Sequence, residues 1–342
     1  MAIGGERVAG AASTVEDMNT VPSGEIIEKA VQLAGRAPSL HNSQPWLWVF
    51  DGATLQLFAV RERSLPNTDS SGRQLIIGCG IALGHLRAAL AAAGWRAEAD
   101  RFPDPNRHDH LATVRFAEAQ IVTDADRDRA DAIRRRHTDR LPFAAPANWD
   151  RFEVVLRSII DPAFAMISVL SEDSRPDLAR ASRLTADLRR YDSGYQAELH
   201  WWTGHVVGST GIPASALTAA AEQEKVPVGR RMPAPAAAAR HTEETADHSV
   251  VVALSTDTDG VEDVLRCGEA LSTVLLESTV AGYATCPLTH LTEYDRSRAI
   301  IRELIGGTAQ PQVLARIGAA PADRAAPEPT PRLPLSEILR RQ

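Results

Sequence analysis

The sequence predicts an α+β protein made of two related halves, each a small mixed sheet flanked by helices. Three observations predict it. The chain has 342 residues, 44% of them hydrophobic, and single cores rarely grow beyond about 250 to 300 residues. Helix-spaced apolar runs alternate with short aromatic or β-branched runs bounded by turn residues. Finally, a helical pattern recurs at a constant offset of 188 residues. Cys79 and Cys267, Gly80 and Gly268, Ala82 and Ala270, Leu83 and Leu271, Ala93 and Ala281, and Gly94 and Gly282 are identical, six of seventeen positions, and Trp95 meets Tyr283. An internal duplication accounts for that, with halves at about 23–125 and 126–342.

In the first half, residues 1–22 are rich in Gly, Ala, Ser and Thr and read as a flexible extension. From Glu25, Ile27, Ala30, Val31 and Ala34 fall at helical spacing, with Gly35 just beyond. Two prolines then forbid a continued helix through Arg36-Ala37-Pro38-Ser39-Leu40-His41-Asn42-Ser43-Gln44-Pro45-Trp46, where Asn, Ser and His supply hydrogen bonds to a loop. Trp46 to Phe50 and Thr54 to Val60, around Asp51-Gly52, read as a hairpin. A helix with a wide apolar stripe runs from about Gln74 to Ala93, and Leu111 to Phe116 is a strand.

The second half opens with an acidic helix from about Asp124 that ends in the basic run Arg134-Arg135-Arg136-His137-Thr138-Asp139-Arg140, stopped by Pro142. Strands are expected at Met166 to Leu170, Val250 to Leu254 and Val313 to Ile317, and helices at about Pro176 to Arg190 and Arg266 to Tyr283. Residues 191–246 lack core periodicity and hold Trp201, Trp202, Gly211-Ile212-Pro213 and a Pro/Ala run at 233–239; so long a stretch reads as a lid. Residues 321–342 read as a surface arm, proline-rich before a short helix from Leu335 to Leu339.

Composition excludes several classes. A net charge of −7 gives no broad attraction to nucleic acid. No stretch reads as a signal peptide or as 18 uncharged apolar residues, so a cytoplasmic protein is expected. Cys79, Cys267 and Cys286 fit neither a disulfide framework nor a metal knuckle. Gly78, Gly80 and Gly84 imitate a dinucleotide fingerprint, but the third comes one residue late and the repeat keeps only the middle one, so they read as packing glycines in a core helix. His108, His110, His200 and His205 lack co-ligands at metal spacing and read as solvated or capping residues. No Gly-x-Ser-x-Gly elbow or Walker loop occurs, and no metal site or protein acid or base is assigned.

Two segments remain, the loop from Ala37 to Trp46 and the run from Arg136 to Arg140. Each is by itself compatible with an ordinary turn or helix end. Together they resemble the nitroreductase-type flavoproteins, and the whole pattern from residue 24 onward resembles the Acg-type branch, in which two such folds share one chain. That resemblance implies flavin mononucleotide (FMN) as cofactor, NADH or NADPH as co-substrate, and reduction of nitro or quinone-like acceptors. It implies that Arg136, Thr138 and Arg140 hold the phosphate, ribityl chain and pyrimidine edge, and that Pro38, Ser39, Leu40 and Asn42 contact the cofactor. Thr289 and His290 stand where the ring meets a backbone N–H, and Arg332, before Leu333-Pro334, reaches the phosphate. A dianionic phosphate calls for arginines, and a flat ring calls for an apolar slot.

Departures from the family pattern carry further expectations. Each half keeps only one part of a site, so a monomeric pseudo-dimer with one FMN is expected; whether it pairs again stays open. The lysine usual at the flavin edge is missing, leaving Arg140 to act alone. The lid is expected to place Trp201 and Trp202 over the ring and to make turnover slow, with an FMN-sequestering or sensing protein as the alternative; the tryptophans packing between the halves is the competing placement.

Overall fold

A computed structural model describes residues 20–204, 209–234, 246–320 and 328–342. Most of the 1–22 extension, His205, the Pro/Ala run past Ala234 and the start of the arm lie outside these residues. The first half comprises α1 (Gly24–Ala34), β1 (Trp46–Phe50), β2 (Leu55–Ala59), α2 (Arg73–Ala92), β3 (Trp95–Arg101) and β4 (His110–Glu118). Then come α3 (Asp124–Arg135), α4 (Trp149–Ile159), β5 (Met166–Leu170), α5 (Arg175–Arg189), α6 (Ser193–Trp202), the two-residue strands β6 (Thr203–Gly204) and β7 (Ile212–Pro213), and α7 (Ala220–Glu224). The chain ends through β8 (Val250–Thr256), α8 (Val261–Val280), β9 (Ala284–Leu288), α9 (Asp295–Leu304), β10 (Gln310–Gly318), α10 (Leu335–Ile338) and β11 (Leu339–Arg341).

One sheet orders its strands β11-β1-β2-β4-β3 and the other β5-β8-β10-β9. With β11 set aside, one order of neighbours, all antiparallel, occurs twice. Helices α2 and α8 cross at the centre of a core that both sheets share. Their backbones touch at the repeated glycines. A Cβ on Gly80 would stand 2.2 Å from the Leu265 carbonyl oxygen and 2.9 Å from Gly268 Cα; one on Gly268 would stand 2.4 Å from the Ile77 oxygen and 2.8 Å from Gly80 Cα. Ile77 and Leu265 are themselves 188 residues apart, so the crossing is reciprocal.

Several expectations need correction. By length and composition α2 is apolar enough to cross a membrane, but it carries His85 and Arg87, and 67% of its apolar window is buried inside the fold. Strands β3 and β9 went unread because both are edge strands: β3 carries charges on its open face, and β9 contains Pro287, which an edge tolerates. The stretch 191–246 is not structureless, since α6 and α7 lie in it. The last helix stops at Ile338, and β11 pairs in parallel with β1, carrying the C-terminus onto the first-half sheet. His110 is buried in β4, its ring stacked on Phe58, and is not a solvated residue.

Candidate functional site

The loop after α1 departs from ordinary backbone. His41, Asn42 and Gln44 have φ of 49°, 60° and 49°, and a non-glycine residue held there costs of order 1 kcal/mol. The surroundings impose it. Ser39 Oγ accepts from the Gln44 N–H at 2.9 Å, Asn42 Nδ2 donates to the Gly211 and Pro331 carbonyls at 3.1 Å, and Gln44 Nε2 donates to the Ser209 carbonyl at 2.9 Å. Gln44 Oε1 accepts from the Leu333 N–H at 2.9 Å. The loop therefore ties the lid stretch and the C-terminal arm to the first half. Asn42 uses its amide nitrogen on these carbonyls, and only its Oδ1, buried and unpartnered, remains for a ligand.

This loop faces a cleft of two lobes that share Pro38, Ser39, His41, Thr138 and Arg140. One lobe is a slot with an apolar floor of Ile77, Gly78 and Ile81 of α2 and Leu271 of α8, closed by the segment Cys286 to His290 and by polar residues such as Gln74 and Thr138. The other lobe is lined by Arg36, Arg134, Arg135, Arg136, Arg140 and Arg332 and by no acidic side chain among the described residues. The basic run reaches the cleft because α3, capped by Thr123, ends at Arg135, and the Asp139 N–H then bonds the Thr285 carbonyl of β9 at 3.0 Å. All the residues expected at the site line one lobe or the other: Leu40, Thr289 and His290 the slot, Asn42, Arg136 and Arg332 the arginine lobe, Pro38, Ser39, Thr138 and Arg140 both.

The arginine lobe carries uncompensated charge. Arg136 is 7% exposed and has no carboxylate partner among the described residues, and its Nε meets nothing. Burial, then the neighbouring Arg332 and Arg36 charges, push its guanidinium down to about 9, and burial and Arg36 push Arg332 to about 10. Arg332 donates to the Thr330, Pro331 and Arg36 carbonyls, and Arg36 to those of Ile133 and Arg134. Carbonyl dipoles do not neutralise buried Arg136 and the half-buried Arg36 and Arg332 beside it, so the lobe calls for an anion with several acceptor oxygens.

Two residues at the site carried no signal in the sequence. Arg36 joins the arginine cluster from the end of α1. Arg230, from the lid stretch, lines the slot and donates to Thr289 Oγ1 at 3.2 Å and Tyr195 Oη at 3.1 Å while ion-paired with Glu293. Arg140 is therefore not the only cation there. Burial and the Arg230 charge hold His41 and His290 well below the usual imidazole range, so both are neutral at pH 7. Lid residues do line the slot, among them Thr218, Gln223, Val226 and Met232, but Trp201 and Trp202 do not. Trp201, in the last turn of α6, has 60% of its surface exposed and Trp202, which ends the helix, is half-buried, so the placement of both tryptophans over the ring does not hold, and Trp201 is not packed between the halves either.

No family model matches the chain. A Mycobacterium tuberculosis protein bearing the name NAD(P)H nitroreductase acg is 50% identical over 320 residues, 94% of this chain and 97% of the relative. A second from the same organism, named NAD(P)H nitroreductase Rv3131, is 36% identical over 94% of this chain and 93% of its own length. Among solved structures, FMN-dependent NfnB from Mycobacterium smegmatis in complex with NADPH covers 64% of this chain and 99% of its own at 18% identity and TM-score 0.39.

Proposed function

Since the chain belongs to the Acg-type nitroreductase family, we propose that its cleft holds FMN and that the protein is a flavoprotein of nitroreductase type. The observation that carries this is the cluster of buried Arg136 with half-buried Arg36 and Arg332, without a carboxylate partner among the described residues, opening into the same cleft as a slot floored by Ile77, Ile81 and Leu271. Arg136 and Arg332 hold the phosphate, Thr138 donates to the ribityl chain, and Arg140 places positive charge at the pyrimidine edge. Pro38, Ser39 and Leu40 wall the ring on one side and Thr289 and His290 on the other, with Asn42 Oδ1 facing the cofactor. Bound there, FMN supplies hydride acceptance from NADH or NADPH and its transfer to a nitro or quinone-like acceptor. The protein positions the ring, excludes water through its apolar slot, and keeps His41 and His290 uncharged beside it. The absorption spectrum of the purified chain tests this reading; a chain that neither carries nor takes up FMN refutes it.

One site per chain is expected. At the repeat offset, Ile81 and Thr289 of the slot correspond to Glu269 and Arg101. Arg101 Nε and Glu269 Oε1 lie 2.7 Å apart, and Arg87 reaches the same carboxylate at 3.2 Å. An ion pair stands where the second slot would need apolar floor, and a buried carboxylate opposes an electron-rich ring. Titration of the flavin-free chain is expected to give one FMN per 342 residues; a ratio near two overturns the assignment.

The sequestering alternative has its own support, because residues 218–232 contribute slot wall that a co-substrate must pass. With that wall closed, NAD(P)H oxidation is expected well below the roughly 1 to 10³ s⁻¹ usual for enzymes, while dithionite still bleaches the flavin. Turnover within that ordinary range by the intact chain rules out sequestration. Deleting about 195–245 would not separate the readings, because Tyr195, Leu199, Val226 and Val228 are core residues.

A further inference from the structure

His41 combines two unfavourable features that the fold does not use. Its backbone is held at φ 49°, where a side chain other than glycine is strained. Its imidazole is 4% exposed, with Nε2 buried and unpartnered, and no hydrogen bond reaches Nδ1 among the described residues either. The neighbouring residues with positive φ differ in this respect. Asn42 and Gln44 spend their side chains on the Ser209, Gly211 and Pro331 carbonyls and the Leu333 N–H, which hold the loop in place. The His41 side chain ties nothing. Backbone strain and an unused buried polar group at one residue point to a ligand and not to the scaffold.

Position says which part of a ligand this would be. His41 is one of the residues that line both lobes, with Pro38, Ser39, Thr138 and Arg140, so it stands at the junction of the slot and the arginine lobe. Whatever joins a ring in one lobe to a phosphate in the other passes it. Burial, then the Arg230 and Arg140 charges, keep the imidazole neutral at pH 7, so it offers one N–H and one lone pair. A phosphate or a ring carbonyl supplies acceptors alone and leaves the lone pair without a donor. An apolar linker satisfies neither nitrogen. A hydroxyl group both donates and accepts, and it satisfies both.

We propose that His41 binds the ribityl chain of the flavin, its ring N–H donating to one hydroxyl oxygen and its other ring nitrogen accepting from a hydroxyl proton. The cleft thereby selects flavins with a hydroxylated chain. This assignment rests on the flavoprotein reading, but not on which arginine holds the phosphate.

The test is equilibrium binding of FMN, riboflavin and lumiflavin to the full chain, since lumiflavin keeps the ring and has a methyl group in place of the chain. His41→Phe is expected to weaken FMN and riboflavin alike, about five- to thirtyfold for the loss of one to two neutral hydrogen bonds, and to leave lumiflavin unchanged. Loss of Arg136 or Arg332, by contrast, spares riboflavin. His41→Gln, which keeps a donor and an acceptor, is expected to regain part of the affinity for FMN and riboflavin. Unchanged FMN and riboflavin affinity in His41→Phe overturns the proposal, and so does a His41→Gln protein that binds them no better than His41→Phe. An equal loss of lumiflavin also overturns it, by placing His41 against the ring or in the scaffold. A parent chain that takes up no FMN removes the flavoprotein reading itself, whereas FMN binding that survives His41→Phe intact removes the assignment of His41 alone.

Discussion

Gly268→Ala is expected to cost about 3 kcal/mol or more of folding stability, at the upper end of overpacking penalties. Helix propensity alone argues the other way, since alanine is favoured over glycine by about 1 kcal/mol in a helix interior. Contact geometry decides the sign. The new methyl would lie 2.4 Å from the Ile77 carbonyl oxygen and 2.8 Å from Gly80 Cα, and both are backbone atoms that no rotamer change can move. Only a wider α2–α8 separation relieves the overlap, and that opens the core where Leu83, Leu86, Leu271 and Leu275 meet with at most 1% exposure. Gly80→Ala is expected to behave alike, because the two contacts are reciprocal. Urea unfolding measures the effect, with Ala88→Gly on α2 as the propensity control. A Gly268→Ala protein at least as stable as the parent would show that the helices separate without loss. The slot is floored by the same two helices, so FMN binding is expected to fall together with stability.

That crossing was legible in the sequence as a repeated pattern, because close backbone contact demands glycine and the crossing demands it on both helices. The loop from Pro38 to Trp46 was legible for a related reason: its prolines, hydroxyl and amides lie consecutively, and their hydrogen bonds, such as Ser39 Oγ to the Gln44 N–H, are largely local. Arg36 was not legible, since an arginine at a helix end looks the same whether it faces water or a buried anion site. Arg230 was further out of reach. It arrives from the lid through contacts with Tyr195, Thr289 and Glu293, 35, 59 and 63 residues away, and no local spacing encodes such a meeting. Trp201 and Trp202 mark where aromatic mass misleads: α6 is so short and so placed that its last turn ends at the surface, and composition says nothing about that.

The remaining large effect is expected at the phosphate. Arg136→Ala and Arg332→Ala should each weaken FMN binding about 10- to 150-fold, the range for a charge-assisted hydrogen bond worth about 1.5 to 3 kcal/mol. Riboflavin, which lacks the phosphate, should be affected far less. Two opposing effects meet at these side chains. Without an anion the guanidiniums repel one another in a poorly hydrated lobe: burial, Arg332 and Arg36 push Arg136 down to about 9, and burial and Arg36 push Arg332 down to about 10. Removing either arginine therefore relieves strain in the ligand-free protein, and its stability without FMN is expected to stay level or rise slightly. With FMN bound, the same arginine is attractive, so the stabilisation that FMN confers on unfolding should shrink in step with the affinity. The pairing of a stable apoprotein with a lost cofactor separates anion binding from scaffolding. Equal losses for FMN and riboflavin, or a destabilised apoprotein, would mean that these arginines hold the arm and the basic run in place and that the phosphate lies elsewhere.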